Sequence, residues 1–146
     1  MSTRAFASAI IPAPIDQVWA VLRDFTSPAK LFKTVESVKM EGDAASTQVG
    51  AVRVVKFANV EVVKRQQLLE LSDLHYRIVW ETSPTESVSE VAAHITTVQL
   101  YRVTENNSTY VSWAADFSSD AIGKFVVQEQ ADYAANLADV KAFFQK

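Results

Sequence analysis

Two histidines, His75 and His94, are the only side chains here whose ordinary titration lies near neutral pH, and the 146-residue chain has no cysteine. Thiolate nucleophiles, iron–sulfur clusters and Cys-ligated zinc are thereby excluded. The histidines fall on what read as different strands, and with no third His or Cys a histidine-rich metal site is not expected. His94 alternates with Thr96, Val98 and Leu100, which leaves two readings open: a polar tip or acid/base facing a pocket, or a structural histidine satisfied within the fold. A Ser112/His94/Asp116 triad can be drawn, but alternation turns Ser112 away from Trp113 and so away from any cavity. Glu61, Glu70, Glu81 and Asp116 suit paired-carboxylate catalysis by type alone, and most belong on the surface. Asn106-Asn107-Ser108-Thr109 contains glycosylation acceptor triplets, which an Asn-rich turn between strands explains equally well.

Composition narrows the partners. With 14 basic and 17 acidic residues the net charge is −3, and the basic residues are scattered, so no stripe for a phosphate backbone exists and no nucleic-acid partner is expected. The apolar run Val18-Trp19-Ala20-Val21-Leu22 is far short of the ~20 residues that span a bilayer, so membrane insertion is not expected either. Arg4 to Ile11 is interrupted by Ser8 and cut off at once by Pro12 and Pro14, and reads as folded chain rather than a leader. A soluble, cytoplasmic protein is expected. No cofactor motif stands out and none is expected. Nothing in the chain fixes its oligomeric state.

A chain of this length makes one domain, residues 1–146, able to bury about two thirds of its unfolded surface. At 49% apolar residues with three Gly and four Pro it has the material for a core. Residues 3–11 read as a strand stopped at Pro12, and the spacing of Ile15, Val18, Trp19, Leu22 and Phe25 predicts a helix over 14–24 that anchors Trp19 in the core. Pro28 ends or restarts it. Strand character follows at 34–41, 49–57, 60–72, 75–82, 92–104 and 109–118, with short breaks at Ser72-Asp73 and Asn106-Asn107 that suit antiparallel hairpins. Ile122, Val126, Tyr133, Leu137, Val140 and Phe144 then form one stripe, predicting a helix over 121–145. Strands bracketed by segregated helices argue for an α+β domain with an antiparallel sheet covered on one face. A 25-residue helix is about 37 Å long but ~10 Å wide, whereas seven strands spread over about 34 Å. Either the sheet curls and large side chains fill the gap, or a hollow remains.

The stretch Ile10-Ile11-Pro12-Ala13-Pro14-Ile15-Asp16-Gln17-Val18-Trp19-Ala20-Val21-Leu22-Arg23-Asp24-Phe25 closely resembles the opening of START-like (SRPBCC) domains. That group includes the polyketide cyclase/dehydrase-like proteins, the birch pollen allergen family and the plant abscisic acid receptors. Val49-Gly50-Ala51-Val52-Arg53, Gln67-Leu68-Leu69-Glu70-Leu71, Tyr76-Arg77-Ile78-Val79-Trp80-Glu81 and Val111-Ser112-Trp113 continue the likeness over the whole chain. The resemblance implies a helix-grip fold: a seven-stranded curved antiparallel sheet wrapped around the long C-terminal helix, with an apolar ligand cavity between them. In the subgroup with the abscisic acid receptors and the onion lachrymatory-factor synthase, the Arg of a Gly-x-Val-Arg strand faces a Glu inside the pocket. Arg53 matches that Arg, while Gln66 or Gln67 stands where the Glu would be. An amide cannot serve as a carboxylate base, which argues against synthase-type proton transfer and for polar recognition. A bulge in the strand carrying Lys64-Arg65-Gln66-Gln67 would shift that alignment by one. The pollen allergens' glycine-rich loop has no counterpart between Gly42 and Gly50.

The expected function is therefore to hold a hydrophobic or amphipathic small molecule (a lipid, polyketide, aromatic or terpenoid) between sheet and helix. Its expected lining is Arg53, Gln66, Tyr76, Trp80, His94, Thr96, Val98, Trp113 and Tyr133. Tyr133 would donate inward from the helix, and Phe25 with the 83–91 loop would flank an entrance. Arg53 either binds a ligand carboxylate or carbonyl or pairs with a neighbouring glutamate, and the tryptophans either pack the core or line the pocket. The alternative is a metal-free cyclase, dehydratase or isomerase in which Arg53, His94 or Tyr133 polarises a carbonyl.

Overall fold

In the computed structural model, residues 4–83, 94–118 and 123–145 are described. Seven strands, β1 (Arg4–Ile11), β2 (Val35–Met40), β3 (Val52–Phe57), β4 (Val63–Ser72), β5 (Arg77–Ser83), β6 (His94–Val103) and β7 (Ser108–Phe117), form one sheet in the order β1-β7-β6-β5-β4-β3-β2. Every neighbouring pair is antiparallel. Helices α1 (Ile15–Leu22) and α2 (Pro28–Leu31) lie between β1 and β2, and α3 (Gly123–Phe144) follows β7. This is the curved helix-grip arrangement that the resemblance implies. Pro28 restarts the helical segment rather than ending it, since its fixed φ and missing N–H suit the first position of α2. The predicted start of the last helix at 121–122, and residues 84–91 of the predicted entrance loop, lie outside the described residues.

Alternation sets the inner face. His94, Thr96, Val98 and Leu100 of β6 and Val111, Trp113, Ala115 and Phe117 of β7 are all buried. In β4 the register shifts between Leu68 and Glu70, a bulge that leaves Leu69 outside while Leu68 and Leu71, three residues apart, both reach the core. The bulge lies beyond Gln66, so β3 and β4 stay in plain register where Arg53 pairs opposite Gln66. Gly50 leads into β3 with φ of 94°, a backbone state that side-chain-bearing residues rarely adopt.

The Ala5, Ala7, Ala9 and Ile11 face of β1 is small, and α3 lies mainly along that strand, with lesser contact to β7 and α2. With α3 seated at the β1 side of the sheet and α1 packed on β6 and β7, the inner face of β3 to β5 has little helical backbone against it.

The turn from β1 into α1 is tied to the sheet at Thr109, wholly buried, whose Oγ1 donates to the Ala13 carbonyl at 2.8 Å. Thr109→Val keeps the shape and removes the donor, so we expect a loss of about 1–3 kcal/mol in urea denaturation. A loss under about 0.5 kcal/mol would mean that the Ala13 carbonyl finds another donor.

Candidate functional site

The inner face holds a cavity of about 430 Å³ between α3 and strands β3 to β7, with α2 and the turn after it at its margin. That volume lies within the ~300–1,000 Å³ of small-molecule sites. Arg53, Gln66, Trp80, His94, Thr96, Trp113 and Tyr133 line it together.

Its polar side is a row running straight across four strands, because Arg53 pairs with Gln66, Gln66 with Thr82, and Thr82 with His94. Side chains follow the backbone register: Arg53 Nε donates to Gln66 Oε1 at 2.7 Å, and Gln66 Nε2 donates to Thr82 Oγ1 at 3.1 Å. Arg53 Nη1 donates to the Phe25 carbonyl at 2.8 Å. The guanidinium lies 3.8 Å from the Phe25 ring centroid and 4.7 Å from that of Trp80, so two aromatic faces hold the charge. Burial lowers its pKa from the ordinary guanidinium range to about 9, which leaves it protonated at neutral pH.

The aromatic side is a continuous set of rings. Trp80 meets Trp113 edge-on at 5.6 Å, Trp113 stacks on Tyr133 at 5.7 Å, and Phe32 tilts against Trp113 at 5.6 Å. Trp113 Nε1 and the Tyr133 hydroxyl are buried and have no hydrogen-bond partner among the described residues. Burial, reinforced by the Glu129 charge, pushes the Tyr133 phenol upward, so it remains a donor. The Thr96 hydroxyl lies close enough to favour the ionised phenol slightly, but not in hydrogen-bonding geometry.

Glu129 of α3 is buried beside the far end of the row, its Oε1 3.8 Å from both Lys64 Nζ and His94 Nε2. Burial and the Lys64 charge hold His94 down to about 4, so it is neutral at physiological pH. Phe117 and Phe125 flank its ring.

Two expected lining residues are elsewhere. Tyr76 precedes β5 with φ of 53°, breaking the alternation expected of 75–82, and its ring meets Trp19 edge-on at 6.0 Å. Val98 sits deeper, beside a separate void of about 20 Å³. Phe25 is no entrance residue but fully buried beneath Arg53. Ser112 Oγ donates to the Gln99 carbonyl, and Asp116 pairs with Arg4, so the drawn triad is not assembled. Glu70 pairs with Arg77, Glu61 is exposed, and neither they nor Glu81 and Asp116 line the cavity. Sequence reasoning missed Thr82, two residues beyond Trp80 on the same strand face, and Lys64, two before Gln66. It also missed Glu129, which fills the gap in the helical stripe between Val126 and Tyr133. Among the described residues no group of three or more His, Cys, Asp or Glu converges as a metal would need, and no helix is long and apolar enough to cross a membrane.

The sequence model of one family, described as polyketide cyclase/dehydrase and lipid transport, matches residues 3–145. Among solved structures, a protein from Nitrosospira multiformis is similar at a TM-score of 0.84 and 26% identity, covering 97% of this chain and 95% of that one. XoxI from Bacillus cereus is similar at a TM-score of 0.80 and 20% identity, covering 99% and 97%. The ginseng major latex-like protein 151 from Panax ginseng shares the fold at 0.74 with 10% identity, covering 98% and 97%. Among curated proteins none matches significantly.

Proposed function

The chain belongs to the polyketide cyclase/dehydrase and lipid transport family, within the START-like superfamily, and from that membership we propose that it holds a hydrophobic or amphipathic small molecule between β3–β7 and α3. One observation carries the reading: the 430 Å³ cavity is lined by Trp80, Trp113 and Tyr133, and two of these keep a buried donor without a partner. Buried polar groups are almost always satisfied, so a donor left open at a cavity wall suits a guest with an acceptor there. Apolar area supplies the affinity, and the donors with Arg53 fix orientation. Native mass spectrometry of freshly purified protein, followed by thermal shift against a panel of aromatic, terpenoid, polyketide-like and fatty compounds, tests it. We expect a retained or added guest that raises Tm. A Tm unmoved by the whole panel would count against the reading.

A second reading, a metal-free cyclase, dehydratase or isomerase, is favoured by one arrangement. The Glu129 carboxylate and neutral His94 stand 3.8 Å apart, and both line the cavity with the protonated Tyr133 phenol. Conversion of any bound compound in the same panel, lost in Glu129→Gln and His94→Gln, would favour it over simple carriage.

A further inference from the structure

Arg53 is 5% exposed, yet both of its protein acceptors, the Gln66 amide oxygen and the Phe25 carbonyl, are neutral. Among the described residues no carboxylate lies within ion-pairing distance of it, and its Nη2 meets no acceptor. A buried guanidinium ordinarily has a countercharge, because two neutral dipoles and two ring faces replace only part of the water it has lost. The other charges around the cavity are already engaged. Lys64 faces Glu129, Glu129 also faces His94, and Asp132 accepts from Gln128. The buried polar atoms left without a partner, Trp113 Nε1 and the Tyr133 hydroxyl, are donors as well.

We propose, resting on the ligand-binding reading above, that the guest is an organic anion: an apolar body bearing one oxyanion head that pairs with Arg53, the body lying against Trp80, Trp113 and Tyr133. A planar guanidinium with Nη2 open offers a carboxylate or sulfonate a charge-assisted hydrogen bond in a desolvated place, where such a pair is strongest. A neutral guest of the same shape leaves the charge uncompensated. The site therefore discriminates by charge and only then by shape.

The test uses two dyes with the same ring system, the anion 8-anilino-1-naphthalenesulfonate and its uncharged parent N-phenyl-1-naphthylamine, both of which brighten in apolar cavities. The wild-type protein is expected to bind the sulfonate at least about tenfold more tightly than the parent. Gln66→Glu places a carboxylate beside Arg53 Nε and supplies the countercharge from within, so the preference should fall to about one. Arg53→Met should abolish it likewise, with circular dichroism confirming the fold, and Gln66→Glu decides the matter if Arg53→Met does not fold. Equal affinities in the wild-type protein would overturn the anion proposal and leave the cavity reading standing. A preference unchanged in Gln66→Glu would overturn the assignment to Arg53. Binding of neither dye would overturn both readings together.

Discussion

Phe25→Ala is expected to destabilise the protein by about 3–5 kcal/mol, lowering Tm on the order of 10 °C. The ring is wholly buried at 0% exposure, meets Trp80 at 6.1 Å and lies 3.8 Å beneath the Arg53 guanidinium. Truncation opens a void next to the cavity and removes one of two aromatic faces from a charge that has little else to replace its water. The cation–π share of the loss is about 2 kcal/mol at such a desolvated site. Phe25→Leu separates the two contributions, since it keeps most of the apolar volume and offers no π face. We expect it to lose more than the ~1.5 kcal/mol typical of a volume-conserving swap. A loss of under about 1 kcal/mol for Phe25→Ala would mean that the ring does not support Arg53.

Phe25 also shows where the sequence stops being legible. Its spacing from Leu22 continues the apolar stripe of α1, but the helix ends at Leu22, and Asp24 accepts from Thr26 N and Oγ1 in a turn that redirects the chain. The residue therefore reaches the core from a loop, and periodicity cannot say what it meets there. The strands were readable because one buried face imposes a period of two, and Trp80, Thr96 and Trp113 reach the cavity by that rule. Tyr76 fails it because its left-handed φ ends the alternation one residue before β5 begins. Alternation likewise turns Arg53 and Gln66 to one face, but only cross-strand register makes them partners, and register depends on where a bulge falls. Glu129 was hidden for a different reason. A carboxylate in an apolar stripe reads as a break in it, and only its neighbours Lys64 and His94, brought from other strands, make its burial tolerable.

Acidification provides the other large effect, centred on His94. Its folded pKa, about 4, lies below the ordinary 6.5 because burial disfavours the imidazolium and Lys64 repels it. Between those values the unfolded chain binds a proton that the folded chain does not, so this contribution is complete above pH 6.5 and is lost as pH falls toward 4. It amounts to about 3 kcal/mol, on the scale of 1.36 kcal/mol per pKa unit. Every carboxylate also responds to acid, so the measurement is a difference: urea unfolding of wild type and His94→Gln at pH 7 and pH 4.5. Wild type should lose about 2 kcal/mol more than the variant across that interval. The groups facing the imidazole do not all act in one direction. Glu129 Oε1 at 3.8 Å would stabilise a charged ring, but the same oxygen faces Lys64 Nζ at the same distance, and the Phe117 and Phe125 rings exclude water from it. If Glu129 instead governed the site, wild type would gain stability over His94→Gln as the solution is acidified, and that outcome would overturn the neutral assignment. A neutral His94 also bears on the guest. It leaves Arg53 as the one cavity cation among the described residues with no carboxylate beside it, so the charge a ligand answers lies at the β3 end of the row rather than beside Glu129.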